Sequence, residues 1–597
     1  MHIETPLNGD VTVLSENAAA QAIRKSYIHG VSNVPLLFDT IGDRLRMAVD
    51  QVPDREFVIF KRDGIRKTYQ QLLYDCEKLA TGLLHLGLDR GDRVGIWGPN
   101  LYEWIVNINP SYQSEELKFA LGKVGIKALI SPAEFKKSNY YLSMLDIIPE
   151  LAVKAEGKGN VAADYFPTFR HFIIIDQAGE NKLYRGAWRY SDVIKMGTEE
   201  DRIKLADIER QIRPDDAVNI QYTSVGISFT SDRQMTLMSG TTGQPKGATL
   251  THHNVVNNAY FVGRRAGYNE KRTIICIPNP LYHCFGCVMG SLSACVHLQT
   301  CVFPAPSFDA LAALQAIHEE KCTAIYGTPT MYIDMLNHPR YKEYDCTSIT
   351  SGFVAGAPCP IALCQRLVSE LGMRDLQAAV VNNEGIILPR GERGEVLVRG
   401  YSVMKCYWDS ELQTKEEITA DRWYHSGDIG VMHENGSLSI VGRKKDMIVR
   451  GGENIYPLEI EQYLFRHPKI EDVQVVGVPD ERYGEAVCAW IRLNNSADHI
   501  TTEDIRNFCK GRIAHFKIPR YILFKKENEF PVTVTGKVKK YEIRELSKIE
   551  LGLEQFVAAR ISENRHATGL PLDDILRLFN KSSFYNLCKI PTSIASF

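Results

Sequence analysis

Apolar positions in the first part of the chain alternate between strand-like runs and a long helical stripe. Residues 55–60 (REFVIF) and 93–98 (RVGIWG) are short apolar runs of strand length. Between them, residues 68–88 predict an amphipathic helix with Thr68 as N-cap and Gly87 at its end. The stripe consists of Leu72, Leu73, Cys76, Leu79, Ala80, Leu83 and Leu84. This strand–helix–strand order predicts a doubly wound α/β sheet.

The same alternation continues along most of the chain. Further α/β elements are predicted at 171–176, 216–224, 252–263 and 309–329. The most apolar region, residues 274–303, is interrupted by Pro, Asn, His and Gln, which predicts a buried strand–helix–strand. No run of about 18 uninterrupted apolar residues occurs, so we predict no transmembrane helix.

One predicted strand does not fit this order. Residues 106–110 (VNINP) read as a core strand, yet few residues separate them from the strand that ends at Gly98. A parallel crossover needs about a dozen residues or more. Either the two strands are not parallel neighbours, or the chain has lost a segment here.

The order of predicted strands and helices changes after about residue 445. Strands at 473–478 and 487–493 alternate with a short helix at 501–513, which predicts a small α+β domain. We therefore predict three regions: a large N-terminal domain at 1–445, a C-terminal domain at 446–553, and an extension without an assigned role at 554–597.

Composition indicates a folded protein whose partners are small molecules. The chain has 597 residues, which is more than a single hydrophobic core usually organises, so at least two domains are expected. Hydrophobic residues make up 44% of the chain, as is ordinary for a folded protein. The formal net charge of −2 provides no field that would recruit nucleic acid or an anionic membrane. The 14 cysteines are scattered, as expected of reduced thiols. For the Cys284–Cys287 pair we favour buried packing over redox or zinc chemistry, because no second pair follows.

Residues 239–247 (SGTTGQPKG) have the parts of a phosphate-binding loop. Glycines let the backbone approach a ligand, amides and hydroxyls donate hydrogen bonds, and Lys246 supplies charge. The segment lacks the Lys-Ser/Thr pair of the common phosphate loop. By composition alone, an ordinary surface loop is an equal alternative.

Four later segments decide between these alternatives. They are residues 280–286 (PLYHCFG), 422–430 (RWYHSGDIG), 442–457 (GRKKDMIVRGGENIYP) and 531–540 (PVTVTGKVKK). Together with the loop, and in this order, they closely resemble the AMP-dependent, adenylate-forming synthetase and ligase superfamily. Within it the chain looks like an acyl-CoA synthetase, most similar to the group called acyl-CoA synthetase family member 2, a mitochondrial medium-chain fatty acid ligase. The resemblance covers about residues 27–553.

The resemblance implies a fold and a two-step reaction. The fold is a large α/β N-terminal domain of doubly wound sheets plus a small barrel, followed by a small mobile α+β domain. The substrates are a fatty acid, ATP with Mg²⁺, and coenzyme A. The fatty carboxylate first attacks the α-phosphorus of ATP to give acyl-AMP and pyrophosphate, and the coenzyme A thiol then displaces AMP. Both steps depend on positioning and on stabilising charge at phosphates.

The resemblance also implies roles for individual residues. Lys537 would be the catalytic lysine that bridges the carboxylate and the α-phosphate, and His283 would gate the acyl pocket. Asp428 would accept hydrogen bonds from the ribose hydroxyls and Arg443 would hold the ribose from the other side, whereas either alone reads as a surface ion-pair residue. The phosphate cradle would comprise Ser239, Gly240, Thr241, Thr242, Gly243, Gln244, Pro245, Lys246 and Gly247.

The remaining implied residues form turns. Gly327, Thr328 and Pro329 would line the acyl pocket, while Gly356, Ala357 and Pro358 would lie near the adenine. Asp446 would be the hinge between the domains, and Gly451 and Gly452 the loop presented to the pantetheine arm of coenzyme A. For isolated His and Gly residues the ordinary alternatives are a core histidine and a plain turn. No metal-ligating residue is assigned.

The chain departs from the family pattern at three places. One is the missing helix before residues 106–110. The second is extra sequence at 225–239, which either bulges as a side loop or lets residues 235–238 replace the end of the preceding strand. The third follows Gln377, where relatives carry a Tyr-Gly-x-Thr-Glu segment that contacts adenine, phosphate and magnesium. An impaired chain that only binds nucleotide or acyl ligand is therefore an alternative, and a luciferase-type oxygenase is another.

The N-terminal sequence does not indicate a compartment. It carries Glu4, Asp10 and Glu16 and lacks a signal-peptide core, so a transit peptide is not evident. By resemblance we expect a mitochondrial protein, with the cytoplasm as the alternative.

Overall fold

The computed structural model describes most of the chain. The described residues are 34–102, 107–108, 114–176, 182–222, 246–355, 363, 366–367, 370–371, 390–434, 438–494, 500–532 and 538–553. The helices are α1 Ile41–Gln51, α2 Tyr69–His85, α3 Ser114–Val124, α4 Tyr140–Ile147, α5 Tyr190–Met196, α6 Glu199–Gln211, α7 His252–Arg265, α8 Ser293–Val296, α9 Ala310–Glu320, α10 Pro329–Leu336, α11 Glu411–Glu417, α12 Pro457–Leu464, α13 Thr502–Cys509 and α14 Lys540–Glu550.

The strands range in length from 2 to 11 residues. They are β1 Glu56–Phe60, β2 Ile65–Thr68, β3 Val94–Trp97, β4 Asn107–Ile108, β5 Ala128–Pro132, β6 Glu134–Phe135, β7 Ser138–Asn139, β8 His171–Ile175, β9 Trp188–Arg189, β10 Ala217–Tyr222, β11 Gly247–Thr251, β12 Ile274–Cys276, β13 Thr300–Phe303, β14 Ala324–Gly327, β15 Ser351–Val354, β16 Arg393–Val398, β17 Cys406–Tyr407, β18 Tyr424–Met432, β19 Leu438–Arg443, β20 Ile448–Arg450, β21 Glu453–Ile455, β22 Ile470–Asp480, β23 Gly484–Leu493 and β24 Tyr521–Phe524.

Two larger sheets form the frame of the N-terminal part. One has the order β4-β3-β5-β8-β9 with parallel neighbours throughout. The other has the order β15-β14-β12-β13-β1-β2 and is parallel except for the β1–β2 pair. In β1, Ile59 packs into the core on one face, while Val58 and Phe60 pack into the core on the other. The second sheet is thus buried on both faces, and the predicted α/β class is confirmed.

Helix α2 agrees with the sequence in its bounds and its caps. Thr68 accepts the N–H of Gln71, and the Gln71 side chain accepts the N–H of Thr68, so a capping box begins the helix. Gly87 follows the helix with φ +85°, where a side chain would be strained.

The strand at 107–108 lies beside β3. Ile96 pairs with Asn107 and Trp97 with Ile108, in parallel register. The expectation that these strands are not parallel neighbours is therefore wrong. Only residues 98–106 connect them, which is too short for a helical crossover.

The strand before the phosphate-loop motif keeps its place in the sheet. Tyr222 pairs with Gly247 and Gln221 with Ala248, in the antiparallel β10–β11 pair. The alternative in which residues 235–238 replace the end of this strand is therefore wrong for Gln221 and Tyr222. Residues 223–245, which include the extra sequence, lie outside the described residues.

The apolar region at 274–303 forms the predicted strand–helix–strand. Strands β12 and β13 flank a π-helical stretch, Phe285–Leu292, that continues into α8. Cys287 packs against a core cluster, as predicted, but Cys284 is exposed. The predicted buried packing is wrong for Cys284, because this residue precedes the first turn of the helical stretch.

Further sheets complete the described structure. Two are three-stranded and antiparallel, β10-β11-β17 and β16-β18-β19, and the five-stranded sheet β21-β20-β23-β22 with β24 belongs to the C-terminal part. The change of sheet falls at the 3₁₀ turn Lys444–Asp446, where the sequence predicts a domain boundary. The division into domains stays a prediction.

Candidate nucleotide and acyl site

Several predicted site residues lie outside the described residues. They are Ser239, Gly240, Thr241, Thr242, Gly243, Gln244 and Pro245 of the loop, Gly356, Ala357 and Pro358 of the adenine turn, and Lys537. The roles of these residues stay predictions.

The two predicted ribose contacts are brought together by a β-ladder. Asp428 on β18 is the cross-strand partner of Arg443 on β19, and Arg443 Nε lies 2.7 Å from Asp428 Oδ1. Both side chains reach solvent, with 27% of Asp428 and 46% of Arg443 exposed. A partly exposed carboxylate oriented by a guanidinium is suited to accept hydrogen bonds from vicinal hydroxyls.

Asp428 is presented by an irregular turn within β18. Glu395 pairs with Ile429 and Leu397 pairs with His425, so residues 426–428 oppose a single residue of β16. Gly427 has φ +70°, and the Asp428 N–H donates to Ser426 Oγ at 3.1 Å. This bulge interrupts the pairing with β16 and sets the direction of the Asp428 side chain, while Asp428 keeps its pairing with Arg443 on β19.

Lys246, at the end of the phosphate-loop motif, is held in an ion pair. Its Nζ lies 2.5 Å from Glu417 Oε1 and 4.9 Å from the centre of the Tyr407 ring. The Tyr407 hydroxyl donates to Glu417 Oε2 at 2.5 Å. Burial and this bond to Glu417 raise the pKa of Tyr407, so the phenol stays protonated and donates.

The next residue, Gly247, is required by packing. A Cβ at this position would lie 2.9 Å from Ile220 Cγ2 on the paired strand. The Gly247 carbonyl also accepts the Trp408 N–H at 2.8 Å, which joins β11 to the region of β17. The sheet therefore anchors the C-terminal end of the motif.

Tyr424 connects the lysine group with the ribose pair. It hydrogen-bonds Tyr407 and lies within electrostatic range of Glu417, Arg443 and Asp428. The end of the predicted phosphate loop and the predicted ribose contacts are therefore neighbours, although Lys246 and Asp428 are 182 positions apart in the sequence.

His283 is oriented by the backbone that follows it. Its Nδ1 accepts the Phe285 N–H at 3.1 Å, and its own N–H donates to the Pro280 carbonyl at 3.2 Å. With Nδ1 as acceptor, the neutral ring carries its proton on Nε2. The Phe285 ring stacks on Tyr326 at 5.7 Å, which places the His283 segment against the end of β14.

The predicted acyl-pocket turn follows β14 directly. Thr328 caps α10, since its Oγ1 accepts the Met331 N–H at 3.4 Å, and Pro329 takes the first helical position. A Cβ on Gly327 would lie 2.8 Å from the Tyr332 ring. The structure thus brings His283 and Gly327 into one region.

The predicted hinge and coenzyme A loop lie beyond β19. Asp446 is in the 3₁₀ turn Lys444–Asp446, and the two glycines form the turn between β20 and β21. Gly451 and Gly452 have φ +59° and +94°, which side chains rarely adopt. The Gly451 N–H donates to the Tyr483 carbonyl at 2.8 Å.

Sequence reasoning missed two carboxylates, Glu417 and Glu395. Glu417 is the partner of Lys246 and lies at the end of α11, where the sequence reads as an ordinary charged surface. Glu395 is 4% exposed in the middle of β16. Its signal in the sequence is an acidic residue inside the strand-like run GEVLV (394–398), a position where burial is costly without partners.

Neither a metal site nor a membrane span is found among the residues with described structure. No group of three His, Cys, Asp or Glu side chains is arranged to hold a metal ion there. None of the helices described above is long and apolar enough to cross a membrane.

Comparisons with known proteins cover most of the chain. The AMP-binding enzyme model matches residues 45–376, and the AMP-binding enzyme C-terminal domain model matches residues 459–537. The chain is 41% identical over 579 residues to the mitochondrial medium-chain acyl-CoA ligase ACSF2 of Danio rerio, covering 88% of this chain and 91% of that protein. It is 37% identical over 582 residues to the Homo sapiens protein of the same name, with the same 88% and 91% shares.

A solved structure shows the same fold. The anthranilate CoA ligase AuaEII in complex with anthranoyl-AMP has a TM-score of 0.70 at 21% identity, covering 87% of this chain and 99% of that one. At this identity the likeness supports the fold alone.

Proposed function

Because the chain belongs to the AMP-binding enzyme family, we propose that it is an ATP-dependent acyl-CoA synthetase that activates a medium-chain fatty acid. The observation that carries this proposal is the similarity to medium-chain acyl-CoA ligases over 88% of the chain. The Asp428–Arg443 pair supports it, since the two residues expected to hold the ribose lie 2.7 Å apart.

The first half-reaction joins the fatty carboxylate to AMP. Asp428 accepts the ribose hydroxyls, and the loop from Ser239 to Gly247 donates hydrogen bonds to the β- and γ-phosphates. Lys537 bridges the carboxylate and the α-phosphate, so that negative charge on both is offset during attack. Pyrophosphate leaves with the electron pair of the broken P–O bond.

Acyl binding is proposed at the junction of the His283 segment and the turn after β14. The Gly327–Thr328 turn packs against the buried Tyr332 ring, which a Cβ at Gly327 would approach to 2.8 Å. His283 stands at the entrance, with its ring fixed by the Phe285 N–H. This arrangement would order the carboxyl end of the acyl chain towards the nucleotide.

The second half-reaction transfers the acyl group to coenzyme A. We propose that rotation about Asp446 withdraws Lys537 and presents the Gly451–Gly452 turn to the pantetheine arm. The thiol then attacks the acyl carbon, and AMP leaves with the electron pair of the broken C–O bond. One cleft would thus serve both half-reactions.

Magnesium is proposed as part of the MgATP substrate. Mg²⁺ prefers oxygen ligands and is commonly held by phosphates, water and one or two carboxylates. The location proposed for the chain is the mitochondrion, as in the names of its curated relatives. Fractionation of cells that express the full chain tests this.

The function is tested with the purified chain, MgATP, octanoate and coenzyme A, following AMP and octanoyl-CoA. Octanoate-dependent formation of both products is expected, and Lys537→Ala should abolish adenylate formation while nucleotide still binds. Nucleotide binding without turnover in the wild-type chain would contradict the proposal and favour a binding protein. Emission of light or consumption of oxygen would favour an oxygenase.

A further inference from the structure

A buried carboxylate lies directly behind the turn that presents Asp428. Glu395 is 4% exposed on β16, and its two oxygens face different parts of the chain. Oε1 accepts the Gly427 N–H at 3.2 Å. Oε2 lies 3.5 Å from Lys444 Nζ and 3.5 Å from His425 Nδ1.

The Glu395 side chain supplies a hydrogen-bond acceptor for the Gly427 N–H at a point where the β16–β18 pairing is interrupted. Because residues 426–428 oppose a single residue of β16, the ladder cannot pair each of their backbone groups. The Glu395 carboxylate accepts the Gly427 N–H in the middle of this bulge. A hydrogen bond from a backbone amide to a charged acceptor is stronger than one to a neutral acceptor, so it holds the turn in one conformation.

The other carboxylate oxygen reaches the segment between the two sheets. Lys444 follows Arg443 directly and opens the 3₁₀ turn that also contains Asp446, the proposed hinge. The Lys444 side chain is 53% exposed, so its contact with Glu395 contributes little to stability. The contact matters because the Glu395 carboxylate then touches two parts of the chain: the turn at Gly427 and Lys444, which lies in the same 3₁₀ turn as Asp446.

We propose that Glu395 is a positioning residue of the nucleotide site, which holds the Gly427–Asp428 turn through Oε1 and links it to the hinge through Lys444. The inference rests on the proposed function, because Asp428 is taken as the ribose contact. Glu395 itself touches no substrate in this account. Movement of Lys444 during domain rotation would loosen the turn and favour the release of AMP.

Calorimetric titration of the full chain with AMP tests the first part. Glu395→Met fills the volume without an acceptor and should weaken AMP binding about 10-fold, the scale of one hydrogen bond to a charged group. Glu395→Gln retains an acceptor for Gly427 and should stay within about 3-fold of the wild type, since a neutral acceptor keeps part of the bond. Glu392→Met, at an exposed position three residues before Glu395 and just outside β16, is the matched control.

Steady-state kinetics separates positioning from a general loss of structure. Glu395→Met should raise KM for ATP and leave KM for octanoate unchanged, whereas a structural defect would raise both and lower the melting temperature in step. Lys444→Met should change the rate of the thioester-forming step in the wild type but not in the Glu395→Gln background. AMP affinity equal in Glu395→Met and the wild type would overturn the inference.

The inference and the proposed function fail in different ways. If the wild-type chain binds AMP but forms no octanoyl-CoA, the proposed ligase function is overturned, and the affinities of the Glu395 variants still decide the positioning role. If Glu395→Gln is as impaired as Glu395→Met while the ligase activity of the wild type is intact, the inference alone is overturned.

Discussion

Substitution of Gly327 by Ala tests the packing of the proposed acyl-pocket turn. The new Cβ would lie 2.8 Å from Tyr332 Cε2 and 3.2 Å from Cδ2 and Cζ. Carbon atoms do not approach this closely without repulsion, so the Tyr332 ring has to move. Gly327 is not among the glycines with positive φ, so the substitution tests the contact rather than backbone strain.

The ring has little freedom to move. Tyr332 is fully buried, and its hydroxyl lies 3.0 Å from the Ile325 carbonyl oxygen and 3.1 Å from that of Phe353. A shift gives up part of this hydrogen bonding and repacks the core, and overpacking of this kind costs about 1–3 kcal/mol. With an unfolding entropy of about 2.1 cal/mol/K per residue over roughly 400 residues, the melting temperature should fall by about 1–4 °C.

Differential scanning fluorimetry of Gly327→Ala measures this shift. Gly42→Ala is the matched control, because its Cβ would lie at an ordinary 3.7 Å from Thr40 Oγ1, and it should not lower the melting temperature. In a Tyr332→Leu background the added cost of Gly327→Ala should nearly vanish, since the clashing ring is gone. An unchanged melting temperature in Gly327→Ala, or an equal cost in both backgrounds, would refute the reasoning.

Three further predictions follow from charged groups. Asp428→Asn, which keeps the shape and removes the charge, should weaken AMP binding about 10-fold by calorimetry; an unchanged affinity would exclude the ribose contact. Lys246→Ala and Glu417→Ala should not be additive in thermal unfolding, with a coupling energy of about 1 kcal/mol for this half-buried pair; additivity would show that the ion pair contributes nothing. Burial, with a smaller effect of Glu527, raises the pKa of Asp334 from 3.8 to about 6. The folded state therefore binds this proton more tightly, and stability is lost as the pH rises through that interval. Asp334→Asn should raise the melting temperature at pH 8 and leave it unchanged below about pH 4; an equal shift at both pH values would contradict this.

The sequence predicted those features that depend on near neighbours. The start of α2 at Thr68 requires only a hydroxyl, an amide side chain three residues later and an apolar stripe, and all are visible in the printed sequence. Strands β1, β3 and β8 are apolar runs bounded by polar residues. Such elements were predicted because their hydrogen bonds close within a few residues or follow a simple period.

Other features depend on pairs that are distant in the chain. The Lys246–Glu417 contact spans 171 residues, and the Lys444–Glu395 contact spans 49. A surface carboxylate and a partner carboxylate look alike in a sequence, because only the folded distance distinguishes them. The exposure of Cys284 was also missed, because its neighbours in the sequence are apolar and exposure is set by the fold rather than by local composition.

The sequence by itself determined the class of fold and the chemical class of the site, because periodicity encodes local structure and the five ordered segments carry the residue types that phosphate and carboxylate chemistry needs. The tertiary structure decided how charges are paired: Asp428 with Arg443 across a ladder, Lys246 with Glu417 beside Tyr407, and Glu395 between a bulged turn and Lys444. Electrostatic interactions fall off with distance and with solvent exposure, and both are properties of the packed chain. Register, bulges and burial therefore select which charges interact.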